Sequence, residues 1–227
     1  APTDTQQFRA ALGLFATVAR SEGWVGYMNV FNNNAGSPGG YIFGSPWGLS
    51  DLRTTVEVSN TGTYLGDRLV LEPNFNTYAD NNDAFWRNGL NGNKFMEANT
   101  FVETSSISTA SASFAGTINS YTLAGGYTAV AFIKVLNPFN GYSLDVYETS
   151  NLVSGSTFNL SADLSSHQGK ILQLGFSVFG LNANANNGSL GNATVTVAAP
   201  IPEPSAYSAF AGLAAAGLAL GLRRKRR

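Results

Sequence analysis

From Trp24 onward the chain reads as short apolar runs separated by Gly, Asn and Pro, a pattern of strands joined by turns. Ten runs predict strands, at residues 24–31, 41–43, 54–58, 68–71, 101–107, 113–118, 127–136, 142–147, 171–179 and 193–198. In 127–136 (YTAVAFIKVL), Ala129, Ala131, Ile133 and Val135 fall on one face and Thr128, Val130, Phe132, Lys134 and Leu136 on the other. Both faces are mostly apolar, so this run predicts a central strand. Asn32, Asn33 and Asn34 with Gly39 and Gly40 predict a turn, and the Asn/Ala stretch 182–187 predicts a loop. No repeat of fixed period runs through the chain, which argues against propellers and solenoids. The expected fold class is all-β, a two-sheet jelly-roll-like sandwich over residues 23–199.

Two segments depart from this pattern. In residues 1–22, Arg9 precedes an apolar stretch, 10–19, that ends in small residues at Thr17 and Ala19, as in a signal peptide with a loose A-x-A-like cleavage site. Phe8, Leu12, Phe15 and Ala19 also share one helical face, so an N-terminal amphipathic helix is the other reading. Near the opposite end, residues 207–222 (YSAFAGLAAAGLALGL) are uncharged. They predict an apolar helix about 24 Å long, somewhat short of the ~30 Å hydrocarbon core, a deficit that snorkelling arginines cover.

Composition supports the β reading. Hydrophobic residues make up 44% of the 227 residues and charged residues 12%, about half the usual share. Polar surface comes instead from hydroxyls and amides, including 23 Asn, residue types that favour turns and strand faces. The absence of Cys excludes disulfides, thiolate nucleophiles and sulfur-ligated metals. One histidine, His167, excludes a His₂ or His₃ metal site within the chain and restricts any Ser-His-Asp triad to that residue.

The formal net charge of −1 hides an asymmetry, because five of the 13 Lys and Arg are Arg223, Arg224, Lys225, Arg226 and Arg227. Residues 1–222 therefore hold 8 cations against 14 carboxylates, a net of −6. Nucleic acid is not an expected partner, since no basic stripe remains for phosphates.

Ahead of the apolar helix, Pro202, Glu203 and Pro204 impose an extended approach. The basic run behind it orients the tail to the cytoplasmic side of a membrane. Pro-Glu-Pro, apolar helix and basic run, in that order over residues 200–227, resemble the PEP-CTERM sorting signal of exported bacterial proteins. The resemblance implies an exosortase as partner, processing near the Pro-Glu-Pro motif, and transient inner-membrane anchoring. The destination it implies is the cell surface or extracellular matrix of a Gram-negative bacterium that makes exopolysaccharide. More loosely, 24–31 (WVGYMNVF), 43–48 (FGSPWG), 93–99 (NKFMEAN) and 131–135 (AFIKV) resemble a functionally uncharacterised domain of other PEP-CTERM proteins. That likeness supports the domain limits, 1–22, 23–199 and 200–227, and supplies no catalytic residues.

Trp47 in GSPWG and Trp86 in NNDAFWR fall in predicted loops and, with Tyr41, are the candidates for stacking on the apolar faces of sugar rings. The stronger expectation makes each tryptophan a core plug, above all Trp24 in its strand. Asp80, Asn82 and Asp83 match half of a calcium loop, but Ala84 and Phe85 break the pattern, leaving a solvated turn as the main expectation and no cofactor. Glu97 and Glu103, six apart on one strand, would share a face about 20 Å apart, beyond the ~5–10 Å that glycoside hydrolysis requires. Asp145 and Glu148 fall on opposite faces. His167, in the polar turn SSHQG, reads as an exposed, inert imidazole. The sequons at Asn159, Asn187 and Asn192 are chance matches in an Asn-rich chain. The expected protein is non-enzymatic, either a carbohydrate-binding module of the exopolysaccharide matrix or a structural or adhesive surface protein without a small ligand. Whether Trp47 and Trp86 lie exposed along one concave face separates the two.

Overall fold

The computed structural model describes residues 23–60, 63–79, 83–186 and 188–198. The segments read as a signal or N-terminal helix and as a sorting signal lie outside these residues. One antiparallel sheet runs in the order β10 (Ser143–Asn151), β9 (Thr128–Asn137), β12 (Ile171–Leu181), β7 (Lys94–Thr104), β1 (Val25–Asn34), β2 (Ser37–Pro46). The second runs β11 (Thr157–Asp163), β8 (Ser111–Tyr121), β13 (Ala193–Ala198), β4 (Arg68–Leu71), β3 (Thr54–Glu57). A small hairpin, β5 (Arg87–Asn88) and β6 (Asn91–Gly92), stands apart. The fold is all-β, and its two large sheets pack face to face.

Alternation builds the core between them. From the six-stranded sheet, Val102, Ile133, Val135, Leu174 and Phe176 point inward to meet Leu69, Phe114, Ile118, Phe158 and Val195 of the second. Phe114, Phe158 and Phe176 form a triangle with ring centroids 5.1, 5.2 and 5.6 Å apart. A second cluster, Met28, Val30, Leu52, Met96 and Ala98, lies under the β1 and β7 part of the sheet, where the one-turn helix Leu49–Leu52, Trp47 and Trp86 provide the cover.

The residues predicted for strands 68–71 and 193–198 form β4 and β13 with those limits. The expected central strand, β9, is interior but one place from the edge, with β12 and β7 at the centre. The turn expected at Asn32–Asn34 and Gly39–Gly40 is overturned. β1 and β2 pair through Asn33↔Pro38 and Asn34↔Ser37 to a two-residue turn, Ala35 and Gly36, at φ 52° and 90°. Two successive positive φ values match the right-handed twist of the strands, so the hairpin closes there and the asparagines remain in the ladder.

Candidate functional site

The face of the six-stranded sheet turned away from the core curls into an open groove of about 840 Å³. Its floor follows from register. Tyr147 pairs with Lys134, Lys134 with Gln173, and Gln173 with Glu103, so one row of polar groups crosses four strands. A parallel row places Asn29 beside Glu97, and Tyr27 pairs with Asn99 on the same face.

These groups are wired together. Asn29 Nδ2 donates to Glu97 Oε2 at 2.6 Å, Lys134 Nζ donates to Asn99 Oδ1 at 2.8 Å, and Gln173 Nε2 donates to Glu103 Oε2 at 2.8 Å. Lys134 Nζ also lies 3.9 Å from Glu97 Oε1 and 4.3 Å from the Phe132 ring centroid. Lys134 belongs to β9 and its partners to β7, with β12 between. Gly175 and Ser177 are the β12 residues paired with the Phe101 and Asn99 positions, and their small size leaves the lysine room to reach across. A Cβ on Gly175 would collide with the Thr100 carbonyl oxygen and with Phe101, whose ring packs 6.4 Å from that of Phe132.

Burial lowers the Lys134 ammonium pKa from its ordinary value, and the Glu97 carboxylate partly restores it. Burial, then the negative charge of Glu97, raises the Tyr147 phenol. Tyr27 is raised by burial and by Tyr41 nearby. Tyr142 and Tyr147 are 63% and 44% exposed at the groove wall, leaving ring surface open to a ligand.

Trp47 and Trp86 are not among the groove residues. Their rings meet edge to face at 6.3 Å and pack on the Met28 and Met96 cluster, with Trp47 Nε1 donating to Ser45 Oγ at 2.8 Å. Trp47 also borders a shallow depression with Gly48, Asp51 and Asn76. Tyr41 is 59% exposed and meets Phe31 edge to face at 5.7 Å. Trp24 stacks on Phe176 in the core and donates to Asp67 at 2.8 Å.

Asp80 and Asn82 lie outside the described residues, as do Pro202, Glu203, Pro204 and residues 223–227. Asp83 Oδ1 accepts the Phe85 N–H at 2.8 Å in a turn. Among the described residues no three His, Asp or Glu side chains gather as a metal site, and no helix is long and apolar enough to cross a membrane. His167 is not the exposed imidazole its polar turn predicts. Its side chain is 17% exposed, with Nδ1 3.2 Å from Lys170 Nζ and 3.8 Å from Asp145 Oδ2, because the turn folds back on β10.

Sequence reasoning weighed Glu97 and Glu103 only as a catalytic pair and sought binding residues among loop aromatics, so the joining of β7 and β9 residues into one groove escaped it. The available signal was polar residues punctuating both apolar faces of a run, as Lys134 does in YTAVAFIKVL. Compared with known protein families, curated proteins and solved structures, the chain finds no match.

Proposed function

We propose that this chain is an exported, exosortase-processed protein of the extracellular polysaccharide matrix or surface of a Gram-negative bacterium. In this reading the groove is a non-enzymatic carbohydrate-binding site. The observation that carries it is the groove itself, where amides and carboxylates able to bond sugar hydroxyls lie on a preformed sheet beside the rings of Tyr27, Tyr142 and Tyr147. A site built on strands holds its polar groups more firmly than one on loops. Glu97 and Glu103 are engaged by Asn29, Lys134 and Gln173, and six residues of strand keep them about 20 Å apart at the backbone, unsuited to paired acid–base work. We also read the fold as jelly-roll-like, since the chain changes sheets at β7, β8 and β9 and again from β10 through β13. Export rests on the Pro202-Glu203-Pro204 motif, the apolar stretch and the basic run.

The test is polysaccharide pull-down by the full-length chain with Tyr147→Ala and Tyr27→Ala beside it. Both variants should lose retention while their melting temperatures stay within a few degrees of wild type. Wild-type protein that retains no polysaccharide would put the structural or adhesive reading first. That alternative draws support from Trp47 and Trp86, which cover the Met28 and Met96 cluster and do not line the groove, and from Phe139 and Leu144, apolar side chains 81% and 50% exposed. For export, deleting residues 223–227 should release the protein from the membrane fraction. Full-length protein soluble in the cytoplasm would overturn the sorting assignment.

A further inference from the structure

Resting on the glycan-binding reading of the groove, we infer that the site selects uncharged polysaccharide and rejects chains that carry uronate groups. The ionisable side chains that face the groove from the strands around it are Glu97 and Glu103 on β7 and Lys134 on β9, with the phenols of Tyr27, Tyr142 and Tyr147. At neutral pH two carboxylates stand against one ammonium. The ammonium is already committed to Asn99, at 2.8 Å, and to Glu97, at 3.9 Å, and its side chain is only 13% exposed. Phe132 and Tyr147 hold their rings 4.3 and 5.1 Å from it, so their faces complete its surroundings.

Recognition of a sugar carboxylate needs a cation with free donors, ideally a guanidinium fork, and no arginine lines this groove. The domain around it adds to the exclusion, with six cations against eleven carboxylates over residues 23–198. Neutral hydroxyls meet the opposite situation. Carboxylate oxygens of Glu97 and Glu103 accept from them, the amides of Asn29 and Gln173 both donate and accept, and Tyr147, 44% exposed, offers ring surface to apolar sugar faces. The groove crosses six strands, about 24 Å at the usual strand spacing, so its contacts extend over several consecutive sugars.

The experiment is titration calorimetry of the full-length chain at low salt against cellohexaose, mannohexaose, hexagalacturonate and hexamannuronate. At least one neutral hexasaccharide should bind about tenfold or more tightly than either uronate, and raising the salt should narrow the gap by screening the repulsion. Glu103→Gln should raise uronate affinity relative to neutral affinity by about threefold or more. Uronates that bind as tightly as the neutral sugars, or more so, overturn the inference and leave the glycan site standing. Binding to neither set overturns the glycan reading and this inference with it.

Discussion

Single side chains set two expectations. Trp86 packs edge to face on Trp47 at 6.3 Å, on Phe43 at 6.4 Å and on Phe85 at 4.7 Å. Trp86→Ala should therefore cost about 3 kcal/mol of unfolding free energy by chemical denaturation, while groove binding survives. The other expectation concerns alkaline pH. Burial raises the phenol pKa of Tyr64 far above its ordinary value, and Tyr127, Tyr147 and Tyr27 move the same way. Groups whose folded-state pKa is raised contribute stability in full below their unfolded value, near pH 10, and lose it as pH climbs beyond. Lys134 opposes them, because its folded value is lowered and its penalty lifts as pH climbs toward 10.5. Four tyrosines outweigh one lysine, so the melting temperature should fall steeply between about pH 10 and 12. Melts of Tyr64→Phe over that range should show a shallower fall.

At the scale of elements, β12 shows how a strand can serve both faces of a sheet. Leu172, Leu174, Phe176 and Val178 fill the core, while Gln173 lines the groove and Gly175 and Ser177 share its face of the sheet. Gly175→Val should lower stability by about 1–3 kcal/mol through the collision with Thr100 and Phe101. It should also abolish polysaccharide retention, because the added bulk blocks the span from Lys134 to Asn99; unchanged retention would show that this span is dispensable. The period-2 pattern made β9 and most of β12 legible in the sequence. It was fainter in β11, whose buried positions are Phe158, Leu160 and Ala162 among polar neighbours. In the first half of β7, Lys94, Glu97, Asn99 and Thr100 disguised a strand that is buried along most of its length. Glu97, Asn99 and Thr100 are tolerated there because partners on β1, β9 and β3 meet them, Thr100 through Thr54 at 2.9 Å, and Lys94 donates to the Asn93 carbonyl and lies over the Phe85 ring.

For the whole molecule, the contacts of the described residues form a two-sheet core with its own edge cover, and none of them needs a disulfide. Residues 23–198 should fold without the flanking segments, giving a β-type circular dichroism spectrum and a cooperative melt unmoved by chelator. A melt that collapses with chelator would reveal a stabilising cation near Asp83. The tryptophans owe their place to architecture at this scale. The second sheet ends at β3, and the remaining apolar face beneath β1 and β7 is closed by Trp47, Trp86 and a single helical turn.

By itself the sequence determined the all-β class, because alternation with a period of two and Gly/Asn punctuation are local properties that each strand carries alone. It also carried the acidic character of residues 1–222 and the order of proline motif, apolar stretch and basic run. Only the tertiary structure decided where function could reside. Glu97, Lys134, Gln173 and Tyr147 come from four different strands, and their assembly depends on strand order and register, which are set by non-local pairing. Whether a tryptophan is a platform or a plug is likewise settled by what lies beneath it, and beneath Trp47 and Trp86 lies an uncovered half of a sheet.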